Sequence, residues 1–224
     1  MEGLNSFLRY PLEELPFVFL VLVIAFTFHE FAHAYSAYKF GDPTAKQLGR
    51  VTLNPRVHLD VIGTILIFIA GFGWAKPVPV NRANFKNPRL MGIIVSAVGP
   101  LSNLILAFFG LLLYHILAGT GVLNGASVGV IRAIDLFLRL LIELNIVLFI
   151  FNLIPLPPLD GYRIVEDLAP THIRVKMAQN EQWGIFVFLL LIFITPLRRV
   201  TIDPLFALGG DLIYSMSKFI AIFI

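Results

Sequence analysis

The sequence predicts an all-α polytopic membrane protein, and three observations predict it. Of 224 residues, 58% are hydrophobic and only 14% are charged, a balance typical of membrane-embedded chains and rare in soluble domains. Apolar runs long enough to cross a bilayer alternate with short loops rich in Lys and Arg. The run Leu15 to Phe28 has no charge, yet it leads directly into His29-Glu30-Phe31-Ala32-His33. Ionisable groups at such a depth are costly and mark function. At this length one membrane-embedded domain is expected over 1–224, with a core at about 15–170 and an apolar tail at 183–224. The net charge of +3 belongs to the loops and does not point to nucleic acid. The absence of cysteine excludes disulfides, a cysteine-zinc site and a thiol nucleophile.

Residues 1–14 read as a short amphipathic lead-in. A cleavable leader is not expected, because the first apolar run carries the histidine motif. Pro16 suits the first turn of a helix that runs to about Phe40, where Gly41-Asp42-Pro43 stops it. Residues 44–58 are polar to mixed and are expected to hold a short strand. Val61 to Ala75 is too short for a full span and suits a re-entrant or half-spanning segment. Residues 76–89 form a basic, proline-rich loop. Leu90 to Ala118 is uncharged and spans with tilt. A glycine-rich linker at 119–127 leads to a span over Val128 to Ile154, which Pro155, Pro157 and Pro158 end. After a polar segment, Trp183 to Leu197 and Val200 to Ile224 complete the expected five to six membrane segments, with short strands near the site.

Lys39, Lys46, Arg50 and Arg56 follow the first helix; Lys76, Arg82, Lys86 and Arg89 follow the short segment; Arg163, Arg174 and Lys176 follow the prolines. The positive-inside rule places these three regions in the cytoplasm, with the charge-free linker outside. Arg198 and Arg199 then fall on the outer side, against the rule. His29 is roughly 20 Å along the helix from Pro16, and about 15 Å remains before the basic loop. The motif therefore sits toward the cytoplasmic face.

Histidines at i and i+4 share one helix face and can grip one zinc ion, with the glutamate between them placed to activate a zinc-bound water. A catalytic zinc needs a third protein ligand. Asp160, after the proline-broken end of a span and before Gly161, is the leading candidate; His58 and Asp60 are its rivals. Broken backbone near a membrane surface is tolerated only where protein or a water cavity covers it.

These residues resemble the site-2 protease family, the intramembrane zinc metalloproteases. HEFAH matches its metal motif and NLIPLPPLDG (residues 152–161) its second signature. Gly99-Pro100-Leu101-Ser102-Asn103 matches a third element between them. The stretch from Asp42 to Thr64, followed by GWAKPVPVN, resembles the compact branch, which lacks PDZ and CBS domains. Val61 departs from the pattern, where proline is expected after Asp60. The resemblance implies one zinc per chain on His29, His33 and Asp160, with Glu30 as general base. It implies that Asn152 meets the substrate carbonyl or oxyanion, and that Pro155 and Pro157 hold substrate extended. The expected substrate is a transmembrane protein, single-span by class, cut within the lipid bilayer of a prokaryotic cell membrane on its cytoplasmic side.

An unwound substrate needs partners for its backbone, and strand addition along Arg50 to Asn54 or Pro155 to Leu159 would supply them. Asn103 either supports the site or makes an interhelical hydrogen bond. Arg139 and Glu143 form either a polar helix end or a gate. A transporter is the rival class, but the matching broken helices of two repeats are missing from the sequence.

Overall fold

Helix α1, Leu15–Lys39, starts with Pro16 in its first turn. It stops at Phe40, followed by Gly41 at φ +101°, a conformation that favours glycine. The computed structural model describes residues 10–70 and 73–223, and among them every regular element is helical. Most of the amphipathic lead-in read at residues 1–14 lies outside the described residues.

Beyond Gly41, the fully buried Asp42 ties this corner together. Its carboxylate accepts from Thr44 N (3.1 Å), Thr44 Oγ1 (2.5 Å), Asn81 N (2.7 Å) and Asn84 Nδ2 (2.8 Å). Burial opposes its charge, but these donors win and hold the carboxyl below the usual range.

No strand forms at 44–58. Thr44–Gln47 makes a single helical turn, α2, and Pro55–Val57 a 3₁₀ turn capped by Asn54. The capping side chain accepts from Arg56 N, so local hydrogen bonds take the place of a ladder. Asp60 likewise caps the next helix, accepting from Gly63 N at 2.8 Å. That helix, α3 (Val61–Ala70), has ten residues and reaches only about 15 Å, half a bilayer core. The chain comes back as an extended strap, residues 73–80, and Lys76 N donates to His58 O at 2.8 Å. The start of α3 and the strap after it are therefore joined by a backbone hydrogen bond.

Helix α4, Pro88–Thr120, is the longest, and Asn87 caps it. Helix α5, Val128–Asn152, follows, with Ser127 as its cap. Then come α6 (Asp160–Leu168), α7 (Thr171–Gln179), α8 (Glu181–Phe193) and α9 (Thr195–Ile220). Helices α1 and α4 are long and apolar enough to cross a membrane. The pair α8 and α9, bent by 93°, makes a third if counted as one span. This count falls short of five to six segments because α3 is short and α5 carries Arg132, Asp135, Arg139 and Glu143.

Helices in lipid gain little from hydrophobicity against each other, so close approach and polar contacts hold them. Ala25 and Ala34 of α1 and Ala107 of α4 are fully buried. Val18, Val21, Leu22 and Phe26 of α1 pack with Ile67 of α3 and Leu140 of α5. A second cluster joins Ile154 and Leu159 to Phe188 of α8 and Ile202 of α9. Since Ile202 packs beside the chain just before Asp160, the start of α9 lies at that end of the molecule. Arg198 and Arg199 sit within one turn of Ile202.

The basic regions converge on that same end. Arg82, in the turn Arg82–Asn84, pairs with Glu166 (3.1 Å) and Asp167 (3.0 Å) of α6. Arg163 of α6 pairs with Glu166 and with Glu181 of α8.

Candidate metal centre

His29 and His33 face the same way from consecutive turns of α1, both buried, with their Nε2 atoms 3.0 Å apart. Asp160 Oδ2 lies 3.2 Å from His29 Nε2 and 3.3 Å from His33 Nε2. Asp160 is the first residue of α6, and the next residue, Gly161, packs closely against the backbone at the end of the preceding span. A Cβ there would collide with the carbonyls of Leu153 and Ile154.

Both imidazoles are oriented from behind. His33 Nδ1 donates to Val95 O (2.6 Å). His29 Nδ1 donates to Asn103 Oδ1 (2.8 Å). Asn103 Nδ2 in turn donates to Asn145 Oδ1 (2.8 Å), and Asn145 Nδ2 to Leu141 O (2.8 Å). With each Nδ1 carrying the proton, each Nε2 presents a lone pair. Two lone pairs and a carboxylate oxygen thus converge with no proton among them, and Asp160 Oδ2 is buried without a hydrogen bond. Three acceptors meeting in a buried site call for a cation. Ligand atoms on a tetrahedral zinc, each about 2 Å from the metal, lie roughly 3.3 Å apart. The observed separations and the nitrogen and oxygen donor set fit that ion.

Glu30 is buried beside the two histidines, and its Oε2 accepts from Val78 N of the strap (2.9 Å). It lines a cavity of about 780 Å³ together with His29, His33, Asp160 and Asn152. Phe26, Leu148 and Phe151 supply apolar wall. Asn152 donates one N–H back to Leu148 O (3.0 Å). Pro155 is exposed, and Pro157 is buried with its ring against Gly184 of α8. Neither faces the cavity; Pro158 does.

The rival ligands lie elsewhere. His58 is fully buried and donates through Nε2 to Thr52 O (2.8 Å), and Asp60 is occupied as a cap. Arg139 lies 3.7 Å from Glu14, and neither it nor Glu143 borders the cavity. Arg50 to Asn54 offers no strand edge.

Two groups behind the histidines escaped sequence reasoning: Asn145, which holds Asn103, and the Val95 carbonyl, which holds His33. Asn145 had a signal, an uncharged polar residue deep in an apolar run. The Val95 carbonyl had none, since any residue there would present one. Replacing Asn103 by Leu removes the acceptor for His29 Nδ1. Zinc affinity is expected to fall about 10- to 100-fold, measured by chelator competition; an unchanged affinity contradicts the orienting role.

Residues 129–195 match the family model described as Peptidase family M50. That stretch contains Asn152 and Asp160, while the histidine motif precedes it. A Bacillus subtilis protein provisionally named zinc metalloprotease YwhC is 54% identical over 222 residues, 98% of either chain. Two mycobacterial proteins provisionally named zinc metalloprotease Rip2 are also similar. The one from Mycobacterium tuberculosis is 31% identical over 178 residues, 78% of this chain and 65% of that one. The one from Mycolicibacterium smegmatis is 29% identical over 173 residues, 75% of this chain and 62% of that one. No solved structure matches the chain.

Proposed function

The chain belongs to peptidase family M50, the site-2 proteases, and on that premise we propose that it is an intramembrane zinc endopeptidase. Its substrates are membrane proteins, single-span by class, cut within or beside a transmembrane helix. The observation that carries this reading is the convergence of His29, His33 and Asp160 as three protonless acceptors beside Glu30, in and against a helix apolar enough to span.

His29, His33 and Asp160 would hold one zinc. Zinc bound there supplies Lewis acidity that polarises a peptide carbonyl and favours deprotonation of water. Glu30 accepts the proton of the attacking water and delivers it to the leaving amine. Asn152 keeps one N–H on Leu148 O and directs the other to the developing oxyanion. The apolar wall of Phe26, Leu148 and Phe151 holds the substrate backbone and limits water. Arg82 and Arg163 of the basic regions border the cavity, which supports a site on the cytoplasmic side of a prokaryotic cell membrane under the positive-inside rule.

Purified protein is expected to carry one zinc per chain, and His33→Ala and Asp160→Asn to lose it. The wild type cleaves a detergent-solubilised single-span protein, and both variants do not. A wild type free of zinc, or cleavage that survives both substitutions, overturns the reading.

A further inference from the structure

A buried guanidinium grips the strap that meets Glu30 from behind. Arg50 is 6% exposed, and it donates from Nη2 to Lys76 O (2.5 Å) and from Nη1 to Pro77 O (3.2 Å). Lys76 is gripped a second time, by the His58 carbonyl, and the His58 ring is pinned on Thr52 O. The segment reads Pro77-Val78-Pro79, so Val78 carries its one backbone N–H. That N–H goes to Glu30 Oε2 (2.9 Å).

The carbonyl of Pro77 and the N–H of Val78 belong to one peptide group. The group is planar and trans, so the two point in opposite directions. Arg50 holds the oxygen on one side of the plane, and Glu30 receives the hydrogen on the other. A charged donor on the carbonyl also polarises the N–H and strengthens its bond to the carboxylate. Arg50 thereby sits behind the strap, outside the cavity lining, while Glu30 sits inside it.

We propose that Arg50 is a positioning residue for Glu30, acting through the Pro77–Val78 peptide group. The inference rests on Glu30 being the general base. Misplacing a reacting group by about 1 Å costs roughly 10²-fold in rate. A lysine keeps the charge but lacks the planar fork that spans two carbonyls, so it substitutes only in part.

The test uses the full-length protein in detergent and a fluorogenic peptide carrying one apolar span. Arg50→Gln is expected to lower kcat about 10²-fold, with KM unchanged and one zinc per chain retained. Arg50→Lys falls between that variant and the wild type. Amide hydrogen exchange across residues 76–80 rises in both, with or without zinc. Should Arg50→Gln fail to fold, Arg50→Lys decides alone: an intermediate kcat supports the proposal and a wild-type kcat overturns it. A raised KM at unchanged kcat, or an activity loss that only follows zinc loss, also overturns it. A zinc-loaded wild type that leaves the peptide intact overturns the proposed function itself, whereas equal cleavage by wild type and variants overturns only the role of Arg50.

Discussion

Glu30→Gln is expected to lower kcat about 10²- to 10⁴-fold, the usual contribution of a positioned acid–base group, while zinc remains bound. The amide has the shape of the carboxylate, and its oxygen still accepts from Val78 N. The two histidines and Asp160 are untouched, so zinc content stays at the wild-type value. Only the ability to take up a proton is lost. Peptide turnover and zinc content measured on one preparation separate this from a folding defect. Wild-type turnover by the amide variant ends the case for Glu30 as base. An inactive variant that has also lost zinc shows instead that Glu30 supports the metal centre.

Gly99→Ala is expected to weaken zinc binding by tenfold or more without removing any ligand. Gly99 lies where α4 crosses the histidine face of α1. A Cβ there would stand 2.9 Å from His29 Cε1 and closer still to His33 Nε2, a proposed ligand atom. The rings cannot swing aside cheaply, because Asn103 and the Val95 carbonyl hold their Nδ1 atoms. Overpacking of this kind costs about 1–3 kcal/mol, and here the strain falls on the ligand atoms. Gly110→Ala is the control, since its Cβ would meet Ile142 and Leu141 at 3.2 Å, away from the metal centre. Chelator competition should separate the two variants. Equal zinc affinities would mean that the close approach at Gly99 does not govern the site.

The Gly99-to-Asn103 element thus has a physical sense that its sequence only hinted at. Gly99 clears room for two imidazoles, and Asn103, four residues on, holds one of them. The amide of Asn103 bonds both the ring of His29 and Asn145 of the neighbouring helix, the contacts that each of its two sequence readings calls for. The strand expected at 44–58 did not form, because Asn54 and Asp60 spend their side chains capping local turns. The polar-to-mixed composition of that stretch did not distinguish a capped turn from a short strand. Pro155 and Pro157 were expected to hold substrate extended; Pro155 is exposed, Pro157 is buried against Gly184, and Pro158 borders the cavity. A run of three prolines fixes that a helix ends, while the path of the chain beyond it depends on what it packs against.

By itself the sequence determined that His29, Glu30 and His33 share one turn-to-turn stretch of an apolar helix. Helical spacing is local, and it puts i and i+4 on one face wherever the helix goes. It also determined that Asp160 stands at a broken helix end beside a glycine. Only the tertiary structure decided between Asp160 and His58 or Asp60 as the group that meets the histidines. That choice depends on α4 approaching α1 at Gly99, on the close packing of Gly161 against the Leu153 and Ile154 carbonyls, and on the Arg82 ion pairs that dock α6. Each of these contacts joins residues far apart in the chain, and short-range periodicity carries no information about them.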